Sequence, residues 1–135
     1  MSSFFKKLFN PVPKGADGLT QPQREAMVDV LFYCMYADNN LALKEDKIIA
    51  DTVEKFSWDP KVSYDAYTAN SIARARAVKE SPVTRSDFFA TVAQRLGTPA
   101  VKQRTLTLCR ALFQADGDFS GTEQELFREL QKSLS

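Results

Sequence analysis

Histidine is absent from all 135 residues, and cysteine occurs only twice. The first absence excludes Ser-His-Asp and Cys-His catalysis together with every histidine-ligated metal site. Cys34 and Cys109 are too few for an all-thiolate zinc site, and no CxxC pair is present for redox chemistry. Both cysteines fall in apolar helical pattern and read as buried, reduced core residues, with a disulfide between them left open. Any bound metal is therefore held mainly by oxygen, which favours calcium or magnesium and admits manganese; no organic cofactor is indicated. No apolar run approaches the roughly 20 residues of a membrane span, and no signal-peptide core precedes a small-residue cleavage site. A cytoplasmic location and no stable membrane insertion are expected. Strict apolar–polar alternation, the mark of a half-buried strand, is also missing.

With 44% hydrophobic residues, the chain can bury the core of one globular domain. Its net charge of +1 is unevenly placed. Residues 21–60 carry 4 basic and 8 acidic side chains, residues 61–115 carry 9 and 3, and residues 116–135 carry 2 and 5. A dipolar surface of this kind serves a partner or complements itself.

Residues 1–20 read as a separate amphipathic tail. Phe4, Phe5, Leu8 and Phe9 flank Lys6 and Lys7, and a Pro- and Gly-bearing stretch follows. Docking on the protein's own core, disorder, and contact with a membrane or partner are all open; two lysines bind lipid weakly. The tail's phenylalanines also leave room for a homodimer. Residues 21–135 then read as an all-α single-domain bundle of about six helices. Thr20 and Gln23 form a capping box ahead of helix 1, which runs to about Tyr36 with Met27, Val30, Leu31, Cys34 and Met35 as its apolar stripe. Helix 2 spans about Leu43 to Phe56. Asp59-Pro60 reads as a turn and the start of helix 3, which ends near Val78. Thr84 with Asp87 is expected to cap helix 4, which ends at Leu96 before Gly97. Thr98-Pro99 opens helix 5, and helix 6 covers about Gly121 to Leu134 behind a Ser120–Glu123 capping box.

Two joints between these helices repeat one another. Ala37-Asp38-Asn39-Asn40-Leu41 leading to Glu45 aligns with Ala115-Asp116-Gly117-Asp118-Phe119 leading to Glu123. A repeated unit of this kind marks a repeated helix pair, here helices 1–2 and 5–6. Capping and the positive helix N-terminus account for Glu45 and Glu123. Asp38 and Asp116 differ, because each sits at the C-terminal end of a helix, where the dipole disfavours a negative charge by about 0.3–1 kcal/mol. A lysine, an Asx-turn or a cation would compensate. The second joint also matches positions 1, 3, 5 and 6 of an EF-hand loop through Asp116, Asp118, Ser120 and Gly121. It fails at position 12, where Phe127 replaces the bidentate glutamate.

Ala115-Asp116-Gly117-Asp118-Phe119 with Glu123 resembles the C-terminal hallmark of the tellurite-resistance TerB-like family, and Ala37-Asp38 to Glu45 resembles its N-terminal counterpart. The Ser3-Phe4-Phe5 opening is similar to TerB starts. The resemblance covers about residues 20–135 in architecture, while its motifs span only the two joints. It implies an all-helical bacterial cytoplasmic domain whose acidic residues bind a divalent metal. The same domain type occurs fused to a membrane-bound co-chaperone and in stress-response systems. Carried over by position, Asp38, Glu45, Asp116 and Glu123 would be the metal carboxylates, with Asp118 accessory. Asn39-Asn40 departs from the family's Gly-Asp pair and weakens the first half-site.

The leading expectation is a non-enzymatic TerB-like module that binds a divalent cation and works with other stress-response proteins. The runner-up is a structural interaction domain without metal, contacting its partner through Arg74, Arg76, Lys79, Arg85, Arg95, Lys102, Arg104 and Arg110. Those residues lack interleaved aromatics or a recognition helix, so nucleic acid is not an expected partner. Carboxylates around a metal without an accompanying nucleophile, base or phosphate loop do not make an enzyme.

Overall fold

The computed structural model describes residues 15–37, 43–78, 80–114 and 121–134, with the backbone alone for 43–46. Among these residues are six α-helices and no strand: α1 (Gln21–Ala37), α2 (Leu43–Glu54), α3 (Tyr64–Val78), α4 (Pro82–Leu96), α5 (Pro99–Phe113) and α6 (Gly121–Leu134). None is long and apolar enough to cross a membrane among the described residues. The all-α expectation holds.

Local chemistry sets most boundaries. The Thr20 amide donates to Gln23 Oε1 at 2.9 Å and the Gln23 amide donates back to Thr20 Oγ1 at 3.3 Å. That is the reciprocal capping box expected ahead of α1. Thr98 caps α5 by accepting from the Val101 amide at 3.2 Å, with Pro99 in the first turn. α4 stops at Gly97, whose φ of 78° is a left-handed conformation that glycine enters without a Cβ penalty.

Two starts differ from expectation. Ser81, rather than Thr84, caps α4: its Oγ accepts from the Thr84 amide at 3.0 Å, and Pro82 fills the first turn. Proline's fixed φ and missing N–H suit that position, so the residue before it is the natural cap. α3 begins at Tyr64 and not at Pro60. Asp59 instead closes an Asx-turn by accepting from the Lys61 amide at 2.9 Å, and Ser63 then accepts from the Ala66 amide at 3.3 Å. α2 ends at Glu54, two residues early, although Phe56 is still buried.

Long-range contacts give the topology. Gln23 Nε2 at the start of α1 donates to the Leu96 carbonyl at 3.1 Å, just ahead of α5. The Asp59 amide, ahead of α3, donates to Gln21 Oε1 at 3.0 Å. α1, α3 and α5 therefore all start at one end of the bundle and run the same way, while α2, α4 and α6 run back between them. At the opposite end, Ala37 at the end of α1, Ser81 and Pro82 at the start of α4, and Leu126 early in α6 line a common cleft.

α1 occupies the middle, packed against α2, α3, α4 and α5. The sequence stripe captured one face of it. In the fold, every residue from Ala26 to Met35 is buried, including Val28, Phe32 and Tyr33 outside that stripe. A helix apolar on all sides belongs in a core rather than on a surface. Cys34 and Cys109 are both buried and neither is in a disulfide, in line with the reading of reduced core residues.

The boundary between tail and domain falls inside packed structure. Leu19 is buried, and Asp17 is bound into the helical unit, so residues 15–20 belong to the fold. Residues 1–14 lie outside the described residues, as does the role expected of the phenylalanines there.

Candidate functional site

Of the five residues nominated as metal ligands, Asp38, Asp116 and Asp118 lie outside the described residues. Glu45 has its backbone in the first turn of α2, and its side chain lies outside as well. Glu123 is described: it sits in the first turn of α6 and is 3% exposed. A carboxylate there lies against the positive end of the helix dipole. Among the described residues, no group of three or more cysteine, aspartate or glutamate side chains stands close enough to hold a metal. The helices flanking the two joints meet at one end. α1 and α5 run parallel for 17 and 15 residues, about 25 and 22 Å at 1.5 Å per residue. Ala37 and Leu126, on either side of that end, face the same cleft of about 420 Å³. All five nominated residues are carboxylates, a donor set suited to a hard cation.

Two buried charge networks hang on α1, and the sequence reading found neither. In the first, Arg24 meets Asp17 through Nε–Oδ2 at 2.8 Å and Nη2–Oδ1 at 3.0 Å. The side chains are only 5% and 3% exposed. Asp17 also accepts from the amides of Leu19 at 3.0 Å and Ser57 at 2.8 Å. Arg24 further donates to the Leu19 carbonyl at 2.7 Å. The Arg24 hydrogen bonds hold the Asp17 carboxyl well below the usual carboxylate range, against the opposing pull of burial.

The second network centres on Asp29, which is 4% exposed. Its Oδ1 accepts from Ser71 Oγ at 2.6 Å and Arg74 Nη2 at 2.8 Å, and its Oδ2 accepts from the Tyr67 hydroxyl at 3.0 Å. Arg95 Nη1 pairs with Oδ2 at 3.8 Å. Burial, then the Asp29 charge, pushes the Tyr67 hydroxyl above its ordinary range. Burial works to lower Arg74, but its hydrogen bond to Asp29 and the attraction of that charge outweigh it and raise it. A sequence signal for both networks existed. Asp29 is a charge inside the apolar run from Ala26 to Met35, Arg24 stands just ahead of it, and buried charges must be paired.

Most of the arginines nominated as a contact surface are occupied within the fold. Arg74 and Arg95 serve Asp29, Arg85 pairs with Glu129, and Arg104 donates to the Asp17 carbonyl at 2.7 Å. Arg76 and Arg110 lie over the rings of Tyr36 and Phe127. The basic excess of the middle segment thus complements the acids of α1 and α6, and Lys79 lies outside the described residues. Comparison with known protein families, with curated proteins and with solved structures found no match.

Proposed function

We propose that the chain is a non-enzymatic, TerB-like helical module that binds a divalent cation through its two acidic joints and acts with other proteins in a bacterial stress response. The observation that carries this reading is the parallel run of α1 and α5. It brings the ends of two helices, one closing on Ala37 of the first Ala-Asp motif and the other two residues ahead of the second, to one end of the bundle. A duplicated carboxylate pattern at opposite ends would have had no common ligand. A hard cation would supply the charge that gathers carboxylates; Asp38, Glu45, Asp116 and Glu123 would hold it, with Asp118 assisting. Calcium, magnesium and manganese are the candidate ions.

Calorimetric titration of the full chain with each of these ions tests the proposal. The expected result is saturable heat with one of them and a higher melting temperature, about 2.7 kcal/mol of added stability at a hundredfold excess over Kd. Asp38→Asn with Asp116→Asn should remove both effects. Absence of heat for all three ions, with melting indifferent to chelator, would overturn it.

A further inference from the structure

A cleft of about 300 Å³ lies between α3 and α4, away from the joints. α4 lines it with Thr84, Asp87, Phe88, Thr91, Val92 and Arg95. These residues follow the i, i+3, i+4, i+7, i+8, i+11 pattern, so they form one stripe along one helix face. α3 adds Arg74 and Ala77 across from it, and Asp29 of α1 closes the back. The stripe is polar at both ends, and Phe88 and Val92 between them line the same cleft as Ala77.

Its charges are separated along the helix. Asp87 and Arg95 stand eight residues apart, about 12 Å at 1.5 Å per residue. Arg74 is drawn to the Arg95 end because both guanidiniums pair with Asp29, at 2.8 and 3.8 Å. Their side chains remain 43% and 40% exposed, whereas Asp29 is buried. Arg95 also reaches Glu25 Oε1 at 4.0 Å and the Tyr67 hydroxyl at 3.5 Å. Two guanidiniums carry ten N–H donors between them, and these partners together with Asp29 cannot saturate them. Asp29 and Glu25 thus hold two half-exposed cations side by side, and a ligand carboxylate fits the N–H donors that remain. An apolar floor with a few convergent polar groups is the ordinary composition of a small-molecule site.

We propose that this cleft binds a small elongated carboxylate, its head group on Arg74 and Arg95, its apolar body over Phe88 and Val92, and an ammonium at its far end facing Asp87. The test is titration of the full chain with hexanoate, 6-aminohexanoate and inorganic phosphate, followed by NMR shifts and calorimetry. Both organic ligands should saturate at millimolar concentration, 6-aminohexanoate several-fold more tightly, and phosphate at least tenfold more weakly than hexanoate. Arg74→Gln and Arg95→Gln should each weaken hexanoate about tenfold. Asp87→Asn should bring 6-aminohexanoate down to the level of hexanoate. Because Arg74→Gln also touches the Asp29 network, Thr91→Trp provides a separate check. It fills the cleft from an exposed position and should abolish binding with the melting temperature unchanged. Non-saturating titrations with both organic ligands, equal binding of phosphate and hexanoate, or undiminished affinity in Arg95→Gln and Thr91→Trp would each overturn the proposal.

Discussion

Replacing Asp17 by asparagine should be among the most damaging single-atom changes in this protein. The Asp17 carboxylate receives four N–H donors: two from Arg24 and one each from the Leu19 and Ser57 amides. Asparagine keeps one acceptor oxygen and places an NH2 group against the other two donors, whichever way it is turned. Arg24 would then remain charged at 5% exposure without its counter-ion. Removing one partner of a buried pair costs about 3–5 kcal/mol. Near-complete burial of both groups leaves little solvent screening to reduce that figure. Against a total stability of about 5–15 kcal/mol, the loss is roughly a fifth or more. At roughly 4 °C per kcal/mol, melting should fall by about 12–20 °C. Urea denaturation at pH 7 measures the difference directly, and the slope against urea should be unchanged. The pH dependence has a definite sign. Asp17 is held below its unfolded value of about 3.9, so its contribution is complete above that pH and fades as acid protonates the folded carboxylate. The gap between wild type and Asp17→Asn should therefore close on acidification below about pH 4. A gap under about 1 kcal/mol at pH 7 is the value of an exposed ion pair, and would refute the reasoning. So would a gap that stays constant down to pH 2.

Two further outcomes follow from the same region and from the core. Gly15→Ala should destabilise by about 1–3 kcal/mol in urea, because a Cβ there overlaps the Arg24 guanidinium and the Ser57 Cβ. Chain entropy alone would give the opposite sign, a gain of about 0.4–1 kcal/mol, so a stabilised variant refutes the overlap. Tyr33, pushed up to about 12 by burial, should stay protonated in ultraviolet titration until well past the range of an exposed tyrosine. A Tyr33→Phe variant that removes absorbance change near pH 10 would show the hydroxyl to be in water.

Helix content and order were open to sequence reasoning because capping residues and apolar period are local signals. Thr20 with Gln23 and Thr98 with Pro99 act within four residues, and the fold reproduces both. The errors came where two local signals competed. Ser81-Pro82 and Thr84–Asp87 both offered a start to α4, and the proline decided it. At Asp59, turn formation by the side chain outcompeted continuation into a helix. The buried charges were visible in the sequence, but the partners of Asp29 were out of reach for a different reason. Asp29 finds Ser71 and Arg74 some 40 residues away, and no periodicity in either helix encodes which face meets which. Of the nominated ligands, the sequence motif carries Asp38, Asp116 and Asp118, while the described fold speaks only for Glu123 and for the end of the bundle that the joints leave from.

The central position of α1 shapes how the chain can be made. Its covering helices α3, α4 and α5 are all translated after it, so the most water-averse segment emerges first and waits. A nascent chain stopped before α4 would display Tyr33 and its neighbours with no Phe88 or Phe89 ring to meet them. Such an intermediate is a natural client for holdases at the ribosome exit, and productive collapse is deferred until about residue 113 has cleared the tunnel.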